Sequence, residues 1–302
     1  MTAIRITNLH KAFKNKVILD QVSLELEENK IYGFVGPNGA GKTTTIKMIL
    51  GLLRSDAGTI KIFDQDVAFG HTKANQNIGY LPDLPEFYDY MTAAEYLELC
   101  ASLATKGQAL DVDTLLQAVG LNHNTAKIGT FSRGMKQRLG LAQALIHDPK
   151  IVICDEPTSA LDPKGRQDIL DILASLGGRK TVLFSSHILS DVEKICDEVL
   201  VLTKQGIYNL KQLKEAKDQT AKPDHIRVLL TLTSEQAQQL TKVIPLSKKG
   251  NHYQAKLLVD QTGQAKNVLN ELYQTLLQLN IFPTYLEVRD QRLEDFYLEV
   301  IA

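Results

Sequence analysis

The stretch Gly36-Pro37-Asn38-Gly39-Ala40-Gly41-Lys42-Thr43 constrains this chain more than any other. It fits the spacing G-x-x-x-x-G-K-[ST] of a phosphate-cradling loop. Ahead of it Lys30 to Val35 is a short apolar run with strand character, and behind it Thr44, Thr45, Ile46, Met48, Ile49 and Leu50 read as a helix. In that strand–loop–helix context the glycines let the backbone curl until several N–H groups point at one anion. The helix N-terminus adds partial positive charge. Lys42 is placed to reach the β- and γ-phosphates of a nucleoside triphosphate and the Thr43 hydroxyl to ligate Mg²⁺. Gly36, Pro37, Asn38, Gly39, Ala40, Gly41 and Thr44 complete the expected cradle.

Composition narrows the class. A chain of 302 residues suits two domains or one with an appendage, and a hydrophobic share of 44% is ample for a packed core. The net charge of −1 provides no global basic field to draw it to nucleic acid or anionic lipid, so no nucleic-acid partner is expected. The cysteines, Cys100, Cys154 and Cys196, are odd in number and far apart, which suggests neither a disulfide framework nor a zinc site and fits a reducing cytosol. The start shows no signal-peptide pattern. No apolar run approaches the roughly 20 residues a membrane helix needs, so any membrane role requires another chain to span the bilayer.

Along the chain, residues 3–9 alternate apolar and polar as a half-buried strand does. Short strands at 17–19 and 22–26 follow without intervening helices, as in an antiparallel patch beside a main sheet. Phe13 either stacks on a base or caps the small β core; the residues alone leave both open. Strands are expected at 58–63 and 78–83. From 85 to about 150 the chain reads as a helical insertion: Thr92 and Glu95 form a capping box, 111–119 is a second helix and 132–147 a third. Residues 151–156 form a continuous apolar run ending in two acids, which suits a central parallel strand. Active groups of such sheets sit at the strands' carboxyl ends. Asp155 is placed there to hold Mg²⁺ and Glu156 to polarise an attacking water. Residues 181–187 repeat the form and end in His187, positioned to contact a γ-phosphate. A further strand is expected at 199–202.

Together these residues resemble the ATP-binding subunit of an ABC transporter, over residues about 3 to 215. The order is phosphate loop, helical insertion, signature, acidic strand, Ser159-Ala160-Leu161-Asp162 and strand-end histidine. The family's Leu-Ser-Gly-Gly-Gln signature stands here as Phe131-Ser132-Arg133-Gly134-Met135. The resemblance implies an α/β fold of the P-loop NTPase type, with an antiparallel β subdomain and a helical subdomain at about 85–150. It implies ATP and Mg²⁺ as ligands and ATP hydrolysis as the activity. It also implies that Ser132 and Gly134 cap ATP held by a second, identical subunit. By the same resemblance Phe13 is the base-stacking aromatic, Glu156 the catalytic carboxylate, Asp162 part of the loop facing the partner and His187 the switch histidine. Asp83 takes the place usually held by glutamine, where it would link Mg²⁺ and water to the membrane partner. Arg133 and Met135 depart from the common form, and Arg133 either adds charge near phosphate or points to solvent. The variant Ser-Arg-Gly-Met looks like the subgroup with separate exporter-type permeases. That implies a cytoplasmic subunit held peripherally at the inner face of the membrane.

The domain division expected is 1–220 for ATP binding and 221–302 for a small α+β module. In the latter, strands are expected at 225–230, 253–259 and 281–288. Helices are expected after the Thr233–Gln236 capping box, at 265–279 and at 293–300, with 211–218 a solvated helix or linker. This module resembles the C-terminal extension of drug- and lipid-export ABC subunits. Two competing readings are a soluble ABC ATPase acting on ribosomes or DNA and a nucleotide-gated regulator. A single ATP unit without coiled-coil heptads argues against the first, and the presence of Glu156 and His187 against the second.

Overall fold

The alternation at the start of the chain folds into a hairpin of two long antiparallel strands, β1 (Thr2–Phe13) and β2 (Lys16–Glu27). The two short strands expected at 17–19 and 22–26 are one strand. Gln21 and Asn8 take left-handed φ values of 49° and 48°, and the register shifts between Ile6 and Leu9, so the ladder continues past irregularities rather than ending at them. β4 (Ala57–Ile62) pairs on the other side of β1 and carries the two-residue β5 (Gln65–Asp66), giving the order β2-β1-β4-β5. The computed structural model describes residues 1–302 except 15, 71, 104–109, 123, 204–205, 211–224, 251, 259–264 and 290–302.

The central sheet comprises β3 (Ile31–Val35), β6 (Ile78–Leu81), β7 (Ile151–Cys154), β8 (Thr181–Ser186), β9 (Glu198–Thr203) and β10 (Gly206–Asn209). Its order is β10-β9-β3-β8-β7-β6, with β10 antiparallel to β9 and the other pairs parallel. Every residue of β3, β7 and β8 is buried, the reason these strands do not alternate apolar with polar; Thr181, Ser185 and Ser186 are the buried polar residues of β8. Helix α1 (Lys42–Ile49) contributes Ile46, Met48 and Ile49 to a core shared by both sheets, with Ile4, Ile6 and Leu26 from one and Tyr32, Phe34 and Ile153 from the other.

Helix α2 (Ala93–Ser102) starts at the anticipated capping box: Thr92 Oγ1 accepts from the Glu95 N–H at 3.2 Å, and Glu95 Oε2 accepts from the Thr92 N–H at 2.7 Å. Asp111 caps α3 (Val112–Ala118) and Ser132 caps α4 (Arg133–Leu145). The expectation that 85–150 is wholly an insertion needs correction. The C-terminal half of α4 packs on β6 so closely that a Cβ on Gly79 would lie 2.0 Å from the Ala144 carbonyl oxygen. The end of α4 therefore belongs to the α/β core. Helices α5 (Pro163–Ser175) and α6 (Leu189–Ile195) follow β7 and β8.

The chain divides into two compact units, Met1–Leu210 and Lys211–Val300. The boundary expected at 220 and the linker or helix expected at 211–218 both lie outside the described residues. In the second unit β11 (His225–Thr231), β12 (Leu246–Lys249), β13 (His252–Leu258) and β14 (Tyr285–Arg289) form an antiparallel sheet ordered β12-β13-β11-β14. Helices α7 (Ser234–Thr241) and α8 (Ala265–Gln278) place Leu240, Val268, Leu272 and Leu276 in a core with Val228 and Leu230. The strand expected at 281–288 begins only at Tyr285. Pro283 has no N–H to give a ladder, and the buried Ile281 belongs to the chain leaving α8. The helix expected at 293–300 lies outside the described residues.

Candidate functional site

The parallel register gathers the chemistry at one edge. Val35 pairs with Ser186, Cys154 with Phe184 and Leu81 with Cys154. One or two residues past these pairs lie Gly36, Asp155, Glu156, His187 and Asp83. They share the carboxyl edge of the sheet because four parallel strands end together there.

Two glycines of the phosphate loop are required by geometry. Gly41 sits at φ 108°, closed to side chains, and a Cβ there would also lie 2.8 Å from Ile18 Cγ2. A Cβ on Gly36 would lie 2.5 Å from the Leu202 carbonyl oxygen. Pro37, Asn38 and Gly39 are exposed, Ala40 is buried and Thr43 is exposed. Thr45 anchors the first turn of α1 by donating from Oγ1 to the Gly41 carbonyl at 2.9 Å. The buried Lys42 donates from Nζ to the Gly36 carbonyl at 2.8 Å, and the same nitrogen stands 3.7 Å from Glu156 Oε1. The lysine is thus held inside its own loop, facing the acid.

Glu156 has φ 49°, an uncommon conformation for a residue with a side chain. Ser185 fixes it there. Its hydroxyl donates to Asp155 Oδ1 at 2.6 Å and accepts from the Glu156 N–H at 2.8 Å. Sequence reasoning treated Ser185 as strand and missed this bridge; the available signal was a polar side chain in an apolar run two residues before His187. His187 Nδ1 lies 2.7 Å from Glu156 Oε2, so the carboxylate sits between lysine and histidine. A second missed group lies behind it. The fully buried Asp191 accepts from Thr158 Oγ1 at 2.8 Å and from Arg166 Nε at 2.5 Å, tying the segment after Glu156 to α5 and α6.

The signature residues open α4. Ser132 Oγ accepts from the Met135 N–H at 3.2 Å, which leaves its own proton free to donate to an outside acceptor. No acid occupies the first turn, so the helix end favours an anion. Gly134 is half-buried, and a Cβ added there would meet nothing nearer than Gly165 Cα at 3.8 Å. Asp162 caps α5, its Oδ1 accepting from the Gly165 N–H at 3.1 Å. Asp83 turns toward Arg133, whose Nη2 lies 3.4 Å from Asp83 Oδ1. Burial pushes the Asp83 carboxyl above the usual carboxylate range, Arg133 pulls it down, and Asp155 and Glu156 push it up again. Phe13 is 46% exposed at the end of β1, so it does not cap the β core; Lys11 Nζ stands 5.2 Å from its ring centroid.

A divalent cation fits the donors at this edge of the sheet. Thr43 offers a hydroxyl, and Asp155 keeps an oxygen beyond the one Ser185 holds. Such hard oxygens suit Mg²⁺, which usually takes one or two protein ligands and completes its shell with phosphates and water. Among the described residues no group of three or more His, Cys, Asp or Glu could hold a metal by itself, so Asp83 and Asp155 do not form a protein-only cage.

A family profile described as "ABC transporter" matches residues 19–159. The chain is similar to the uncharacterized ABC transporter ATP-binding protein YxlF of Bacillus subtilis, 36% identical over 306 aligned positions and 99% of each chain. It is also similar to the Nod factor export ATP-binding protein I of Burkholderia lata, 37% identical over 66% of this chain and 67% of that one. A dimeric bacterial ABC transporter cassette superposes with a TM-score of 0.59 at 25% identity, over 68% of this chain and 96% of the other. The chain belongs to the ATP-binding subunits of ABC transporters. It is an ATPase cassette with the P-loop NTPase fold and exporter-type relatives.

Proposed function

We propose that two copies of this chain close around two ATP molecules, each held between one copy's phosphate loop and the other's signature, and that hydrolysis drives a separate membrane permease. Gly134 carries this reading. It occupies the first turn of a helix, where glycine costs up to about 1 kcal/mol relative to alanine. Its φ is not left-handed, and nothing in its own chain blocks a Cβ. The demand for a bare backbone therefore comes from outside the chain, as a phosphate approaching the α4 N-terminus would impose. That a similar bacterial cassette is dimeric supports the association of two copies.

In this reading the cradle of residues 36–44 binds the triphosphate, and Lys42 exchanges its contacts with Gly36 and Glu156 for phosphate oxygens. Phe13 stacks on the base. Thr43 and Asp155, with Asp83 through a water, would hold Mg²⁺, which neutralises charge on the phosphate oxygens when bound. Glu156, freed from Lys42, orients the attacking water, and Ser185 keeps its backbone in place. His187 steadies both Glu156 and the γ-phosphate. Ser132 donates its hydroxyl to the partner's nucleotide, and Asp162 sets the start of α5 facing the partner. Closure removes water around these donors and strengthens them.

Among the described residues no helix is long and apolar enough to cross a membrane. The loop after β6 exposes Leu84, Tyr88 and Tyr90, an apolar surface beside Asp83 suited to a permease at the inner face of the membrane. The export relative supports an outward direction. Affinity purification of the tagged chain from detergent-solubilised membranes is the test. It should bring down a polytopic membrane protein, and mutation of Tyr88 and Tyr90 to Ser should release it. Fractionation with ribosomes and no membrane partner would refute the coupling.

A further inference from the structure

Asp83 and Arg133 are two charged residues at positions where the motifs depart from the family form, and the proposed chemistry gives Arg133 no task. The structure sets them against each other across fifty residues of sequence, with Arg133 Nη2 3.4 Å from Asp83 Oδ1. One turn further along α4, the fully buried Gln137 donates from Nε2 to the Asp83 carbonyl oxygen at 2.7 Å. Positions 133 and 137 share a helix face. Residue 83 is therefore tied to α4 at two consecutive turns, once through its side chain and once through its main chain. The ion pair also answers a local charge problem, because Asp155, Glu156 and His187 face the same carboxylate and two of the three are acids. Arg133 lies between Ser132 and Gly134, so whatever fixes its side chain also fixes the direction of the helix end that both present.

We infer that Asp83, Arg133 and Gln137 form a latch within one subunit, which orients the N-terminus of α4 against the end of β6 and so aims Ser132 and Gly134. The latch rests on the two-copy reading for its purpose but not for its existence. Arg133 and Gln137 are positioning residues here. The ion pair is partly exposed, so its loss should loosen the helix end by a modest factor rather than unfold it.

Two measurements on the full chain test this. The first is hydrogen exchange of the amides at 133–137 in nucleotide-free protein. Arg133→Gln and Asp83→Asn should each speed exchange roughly two- to five-fold. Arg133→Lys should stay near wild type, and the double variant should exceed neither single. Unchanged exchange in the singles, or effects that multiply in the double, overturns the latch. The second is ATP-dependent dimerisation in a Glu156→Gln background, where Arg133→Gln should weaken association and Arg133→Lys restore it. Weakened association with unchanged exchange would put Arg133 on the partner's nucleotide instead and overturn the latch. If Glu156→Gln alone fails to dimerise while the exchange pattern holds, the latch stands and the two-copy reading falls.

Discussion

Gly134→Ala should raise stability and lower activity at once. In the isolated chain the added methyl meets Gly165 Cα at 3.8 Å and Leu161 Cδ2 at 4.0 Å, ordinary contact distances. Replacing glycine in a helix's first turn with alanine removes unfolded-state freedom worth about 0.5–1 kcal/mol. For a domain of this size that is roughly 1–4 °C in melting temperature. In the closed pair the same methyl would stand where a phosphate must approach. Overpacking costs about 1–3 kcal/mol per site. With two sites per dimer, even about 2 kcal/mol in total weakens association roughly 30-fold. Differential scanning fluorimetry of nucleotide-free protein, with ATP turnover measured against protein concentration, reads both effects. A variant that melts higher and hydrolyses ATP at the wild-type rate would refute the argument, as would one that melts several degrees lower.

Two further substitutions follow from the site's supports. Ser185→Ala removes a donor to a carboxylate and orphans the Glu156 N–H, together about 3 kcal/mol, so melting should fall and turnover should drop with it. An unchanged melting temperature would show that the bridge does not hold Glu156. Asp191→Asn leaves the Arg166 guanidinium, 28% exposed, without its counter-charge; about 3 kcal/mol, the low end for a broken buried pair, should be lost, lowering the melting temperature by roughly 6–12 °C. A change under about 1 °C would contradict it.

The elements read most directly from sequence are those with an unambiguous period. The runs at 31–35, 151–154 and 181–186 show no polar alternation because both faces are covered, and they form adjacent parallel strands. The capping boxes at Thr92 and Thr233 marked helix starts correctly because their bonds are local in sequence. Groups held by distant partners were not legible. Asp191 finds Thr158 and Arg166 at separations of 33 and 25 residues, and Ser185 reaches back about thirty residues to Asp155 and Glu156. Nothing in local spacing announces such pairs. The short strands β5, β10 and β12 were missed for a related reason: two to four residues are too few to show alternation. Arg133, open in the sequence between phosphate and solvent, is exposed and pairs with Asp83, fifty residues away, a contact that local spacing does not announce.

Two chains share each triphosphate pocket in the proposed function. Sedimentation velocity of Glu156→Gln protein, with and without ATP, tests that most directly. Without nucleotide the chain should run as a monomer, and with ATP it should shift to a stable dimer that hydrolyses nothing and that Ser132→Ala weakens. A Glu156→Gln chain that remains a monomer with ATP bound, or that turns ATP over at the wild-type rate, would contradict it.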